Sequence, residues 1–157
     1  MSRIEDRLAE LGLTLPAVAA PLAAYVPALV DGDRVWTAGQ LPFVDGVLPR
    51  TGKVGEGPGL VTPADAAGLA RVSALNALAA IASVIGDLDR VEQIVKVVGF
   101  VASDPAFTGQ PGVVNGASTL LGDVFGDAGV HARSAVGVAV LPMDAPVEIE
   151  LVARLRR

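Results

Sequence analysis

The spacing of apolar and polar positions divides this chain into a short series of elements. Ile4, Leu8 and Leu11 recur at helical spacing, Ser2 stands where a cap belongs and Glu5 follows three residues later. Residues 2–11 therefore read as a short helix stopped by Gly12. Pro16 and Pro21 bound a linker. Residues 25–30 and 34–41 read as two strands joined by the tight turn Asp31-Gly32-Asp33. Alternation in the second strand puts Val35, Thr37, Gly39 and Leu41 on one face, and Arg34, Trp36, Ala38 and Gln40 on the other. Residues 43–60 are rich in glycine, hold Pro49 and Pro58, and form a long loop with a small hairpin at Asp45-Gly46.

Thr62 caps and Pro63 opens a helix that runs to about Ile85 and stops at Gly86, with Leu75, Leu78, Ala79, Ala82 and Ile85 as its apolar stripe. The nearly unbroken apolar run 91–102 predicts a strand buried on both faces, ended by Asp104-Pro105. A second long helix covers roughly 112–125. Strands follow at 131–141 and 147–155, with a turn between Pro142 and Pro146. After the extra N-terminal helix the order is β-β-α-β-α-β-β, with no linker to divide it. This predicts a single α+β domain over 1–157, one sheet with both long helices on one face. Nothing in the chain forms a third layer, so the other face is expected to be covered by further copies.

Composition refines this picture. Apolar residues make up 52% and aromatics 4%, so the core must be built from Val, Leu, Ile and Ala. Charged residues are only 18%, which fits apolar surface buried between subunits. The formal charge is −5, and the basic residues are scattered apart from Arg154, Arg156 and Arg157. A phosphate-backbone binder needs a basic footprint, so no nucleic acid partner is expected. The absence of cysteine removes disulfides, thiolate catalysis and Cys-based metal sites. The charged N-terminus (Arg3, Glu5, Asp6, Arg7) is unlike a signal peptide, and no uninterrupted apolar stretch has spanning length. The expectation is a cytoplasmic protein with no membrane partner. His131 is the sole histidine and is read as structural; no metal and no cofactor is expected. There is no nucleophile elbow, and the glycines of 52–59 have neither phosphate-loop nor dinucleotide spacing.

Candidate chemistry gathers at the C-terminal strands. Arg133 shares a face with Ala135, Gly137 and Ala139, small residues that leave space beside a guanidinium, while Val136, Val138 and Val140 fill the other face. Such an arginine can receive a carboxylate with both oxygens, or can be an edge-strand residue reaching solvent or a structural acid. Glu148 and Glu150 share a face opposite Val147, Ile149 and Leu151, and could orient water or lie on a solvated face. Tyr25, Gln40 and Asn115 stand near element ends and could bind a ligand or satisfy backbone groups.

Several segments, in order, resemble a known family over nearly the whole chain. They are Tyr25-Val26-Pro27-Ala28, Val35-Trp36-Thr37-Ala38-Gly39-Gln40-Leu41-Pro42, Asn76, Leu88-Asp89-Arg90-Val91, Ala132-Arg133-Ser134 with Val136, Val138, Ala139, Leu141 and Pro142, and Val147-Glu148-Ile149-Glu150. The chain resembles the Rid family (YjgF-like reactive-intermediate deaminases, also labelled endoribonuclease L-PSP). The resemblance implies a chorismate-mutase-like fold of the bacillus type and a homotrimer with pockets at its subunit interfaces. It also implies hydrolysis of small enamines and imines from amino-acid metabolism to 2-oxo acids and ammonia. Arg133 would hold the substrate carboxylate and Glu148 would lie by the attacking water, with Tyr25, Asn115, Gln40 and Ala135 at further pocket positions. A protonated imine carbon is already a strong electrophile, so no metal or cofactor is required. The pattern departs at Ala135, where the clearest deaminases carry Cys, and in the extra helix and glycine loop, as in a side branch of the family. The alternative is a trimeric binding or regulatory protein that captures a small carboxylate without turning it over. A ribonuclease, the older family label, is disfavoured by the acidic balance and the lack of a histidine pair.

Overall fold

The first two helices begin at their expected caps, Ser2 and Thr62, whereas the third starts at Gln110, two residues before its expected start and without a side-chain cap. The computed structural model describes residues 2–18 and 24–157; Pro21, one bound of the expected linker, lies outside them. Helix α1 (Arg3–Glu10) carries a reciprocal capping box, Glu5 N donating to Ser2 Oγ at 3.2 Å and Ser2 N to Glu5 Oε2 at 3.0 Å. The Asp89 carboxylate accepts from Arg3 N and Ile4 N, both at 2.8 Å, so a distant residue satisfies two further orphan donors and docks the helix while Ile4 and Leu8 enter the core. Helix α2 (Pro63–Ile85) starts on Thr62, whose Oγ1 accepts from Asp65 N at 3.1 Å. Helix α3 spans Gln110–Phe125.

The strands are β1 (Ala28–Asp31), β2 (Arg34–Thr37), β3 (Val91–Ala102), β4 (Ala132–Val138) and β5 (Val147–Leu155). They form one mixed sheet in the order β1-β2-β5-β3-β4, antiparallel except for the parallel pair β3–β4. Helices α2 and α3 pack side by side on one face, as the element order predicts. That face supplies Val35, Ile94, Val97, Val101, Val147, Ile149, Leu151 and Ala153 to the core, each at most 1% exposed.

Four expectations need correction. The apolar run of β3 is buried on one face only; Val98 and Phe100, on the other, are partly exposed. The unbroken apolar pattern reflects an apolar open face, not a second layer within the chain. The buried arc of α2 is wider than the expected stripe: Leu78, Ala79 and Ile85 are buried, but so are Ala66, Ala70, Ser73, Ala74, Ala77, Ala80 and Ile81, while Leu75 and Ala82 are partly exposed. This helix faces both the sheet and α3, and alanines let it approach both closely. Tyr25 and Val26 precede β1 and are more than half exposed.

The fourth correction concerns Gln40. Trp36 pairs with Val152, but Gln40 pairs with Ile149, so one extra residue separates the two registers. This bulge reverses the alternation. Gln40 lies opposite the fully buried Ile149, on the helix side, and not beside Trp36.

Candidate active site

Arg133 stands near the start of the edge strand β4, opposite Val97 of β3. The register places it on the helix side together with Ala135 and Gly137, as alternation predicts. Its NH1 donates to Asn115 Oδ1 at 2.7 Å and to Ser118 Oγ at 3.2 Å, both on α3. An NH1 group has two hydrogens, and both are used. Among the described residues nothing accepts from Nε or NH2, so the edge of the guanidinium that can hold both oxygens of a carboxylate is left for a ligand. Ala135 sits opposite Gly99 and touches the core.

Glu148 lies on the other face. It is paired with Phe100, which is paired in turn with Val136, so Glu148, Phe100 and Val136 share the open side. Arg133 is two strands and three residues away, roughly 14 Å by strand spacing and rise, and on the opposite face. Within one chain the two candidate catalytic groups cannot touch one small ligand. The Glu148 carboxyl is half-buried and lies over Gly39, where a Cβ would stand 2.1 Å from Oε1; an alanine there would have to displace the carboxylate. Burial first, and then the neighbouring charge of Glu150, push the Glu148 carboxyl above its ordinary value of 4.5. Further along this face, opposite Val152, Lys96 Nζ donates to Ser134 Oγ at 2.9 Å.

Of the other expected site residues, the structure brings only Asn115 to Arg133. Gln40 lines a separate cavity of about 300 Å³ with Pro16, Phe43 and Asn76, whose Nδ2 holds the Leu41 and Phe43 carbonyls at 3.0 Å. Tyr25 is exposed at the chain's approach to β1. Two residues were missed. Ser118 binds Arg133, and His131 binds Ser118, with 2.9 Å between Nε2 and Oγ. Both were detectable from spacing: Ser118 is one helical turn after Asn115, and His131 is two residues before Arg133 on the same side of the chain.

Residues 5–155 match the model of the family described as "YjgF/chorismate mutase-like, putative endoribonuclease". The chain belongs to this family. It is 42% identical over 98% of its length to Protein TCP17 of Trypanosoma cruzi, covering 94% of that protein. Among solved structures, Atu1372 of Agrobacterium tumefaciens, a protein of unknown function, is 42% identical, with a TM-score of 0.88, 98% of this chain and 92% of that chain being covered. TdcF of E. coli, solved with bound serine, is 26% identical, with a TM-score of 0.61 over 92% of this chain and 96% of that one. The family resemblance in the sequence and the α+β architecture are thereby established.

Proposed function

We propose that this YjgF-family chain hydrolyses small imines or enamines derived from amino acids to 2-oxo acids and ammonia. The pockets would be completed by neighbouring copies, a trimer being the arrangement the family resemblance implies. The observation that carries this reading is the guanidinium of Arg133, tethered through NH1 alone, with its Nε–NH2 edge presented for a carboxylate. That serine, itself an amino acid with a carboxylate, is bound in the TdcF structure agrees with it. Since Glu148 lies across the sheet from Arg133, the glutamate that serves a given arginine would come from an adjoining copy. Arg133 would fix the carboxylate and hence the neighbouring imine carbon. Glu148, its carboxyl raised by burial and by Glu150, would take a proton from water as the oxygen adds to that carbon. Glu148 would pass that proton to the nitrogen; the C–N bond then breaks as the added hydroxyl gives up its proton and becomes the carbonyl of the 2-oxo acid, and ammonia leaves.

The test is ammonia release from freshly generated 2-iminopropanoate. Arg133→Ala should lower turnover by about a hundredfold or more, the usual scale for truncating one partner of a charge pair. Unchanged turnover in that variant would refute the reading. One observation favours a second reading, a carboxylate-binding protein without turnover: the anion receptor at Arg133 is complete without Glu148. Glu148→Gln separates the two. Retained binding with lost turnover supports hydrolysis, whereas no turnover in either protein supports capture alone.

A further inference from the structure

The guanidinium of Arg133 is the near end of a chain of hydrogen bonds that runs back into the sheet. At the far end, Gln93 of β3 donates from Nε2 to the carbonyls of Ala128 (3.1 Å) and Val130, pinning the segment between them. Gly129, in the middle of that segment, is buried against α3, where a Cβ would lie 2.2 Å from the Leu121 carbonyl oxygen; only glycine fits so close. Its own carbonyl meets His131 Nδ1 at 2.6 Å. A carbonyl can only accept, so Nδ1 carries the hydrogen, and in the neutral ring Nε2 must then accept. The partner at Nε2 is the Ser118 hydroxyl at 2.9 Å, which therefore points its hydrogen at the ring and its lone pairs toward Arg133 NH1 at 3.2 Å. From the Gly129 carbonyl onward, each link fixes the polarity of the next.

We infer that Ser118 and His131 are positioning residues for the anion receptor: with Gly129 they form a relay that locks the Arg133 guanidinium so that its Nε–NH2 edge faces the ligand carboxylate. This rests on the proposed carboxylate-binding role of Arg133. Asn115 alone would tether NH1 at one point and leave the planar group free to turn about it. The second tether, from Ser118, sets the plane. A receptor held in one plane loses less freedom on binding a planar carboxylate.

The experiment is a titration with pyruvate, beside 2-iminopropanoate turnover, on the intact wild-type assembly and its variants. Ser118→Ala should weaken pyruvate binding and raise KM about tenfold, the scale of one orienting hydrogen bond, with kcat within about twofold of wild type. Ser118→Thr keeps the hydroxyl and should restore both. His131→Asn, which can still reach Gly129 but not Ser118, should behave like Ser118→Ala, while His131→Gln, whose amide oxygen can accept from Ser118, should fall closer to wild type. The double variant Ser118→Ala/His131→Asn should be no worse than either single one. Wild-type binding in Ser118→Ala and His131→Asn, with binding lost in Arg133→Ala, would overturn the relay and leave the arginine's role intact. Wild-type binding in Arg133→Ala would overturn both. A readout independent of ligand and of variant folding comes from the single histidine. The ¹⁵N shifts of the wild-type ring should report a proton on Nδ1 and a bare Nε2; a proton on Nε2 instead would reverse the polarity and sink the inference.

Discussion

The two faces of the sheet differ more than any other pair of regions in this molecule. Under the helices, Val147, Ile149, Leu151 and Ala153 of β5 are sealed from water. One residue along in each case, Glu148, Glu150, Val152 and Arg154 are only partly buried. The open face is not simply polar. Leu29 (59% exposed), Trp36 (50%) and Val136 (43%) stand on it with Val98, Phe100 and Lys96. A solvated antiparallel face would carry polar residues at those positions. The covered face thus accounts for the fold, and the open face has the character of a surface awaiting a partner. The candidate chemistry straddles the two, since Arg133 and its relay belong to the covered side and Glu148 to the open one.

Paired substitutions can break this contrast. The largest effect is expected under the helices. Leu151→Ala should cost about 2–5 kcal/mol of unfolding free energy in denaturant titration, by lost transfer energy plus the cavity left behind. Val136→Ala on the open face should cost less than about 1 kcal/mol if that face meets only water, and a loss approaching that of Leu151→Ala would itself reveal a tight interface.

Next comes assembly. Trp36→Glu places a charge on the open apolar surface; if copies associate through that face as proposed, it should lower the mass in sedimentation analysis to that of a monomer, with far-UV circular dichroism unchanged. An unchanged mass would mean that copies associate elsewhere and that the open face serves another partner.

The smallest effect is a slope. In the folded chain the Glu148 carboxyl is raised above its ordinary 4.5, so folding penalises its charged form relative to the unfolded chain. Its contribution to stability is fully present below that ordinary value and is lost as pH rises through the folded value. Wild type should therefore lose stability relative to Glu148→Gln as pH climbs above that ordinary 4.5, measured by unfolding at several pH values. An opposite slope would place a cation from an adjoining copy against Glu148, sharpening the picture of a shared pocket.

Much of the architecture could be read from local patterns because local physics sets it. Ser2 with Glu5, Thr62 with Pro63, and Gly86 mark helix ends that the structure keeps. The limits of β3 fall where its largely apolar stretch begins and ends, and those of β5 where its alternation of buried and part-exposed residues does. The strand of Arg133 likewise follows its alternation, so the side on which the arginine lies was legible from its small neighbours. The reading failed where one residue was added or a second surface intervened. The bulge beside Gly39 carries Gln40 to the helix side, and α3 widens the buried arc of α2 beyond the Leu75 stripe.

By itself, then, the sequence determined the elements, their order, the family and the identity of Arg133 and Glu148 as chemical candidates, because caps, periodicity and short motifs act over a few residues. Only the tertiary structure decided which of those groups meet. Strand register sends Arg133 and Glu148 to opposite faces, and helix packing brings Asn115 and Ser118 onto the guanidinium from residues 18 and 15 positions away along the chain. Those contacts depend on how distant segments stack, and a one-residue change of register reverses which face a strand residue occupies.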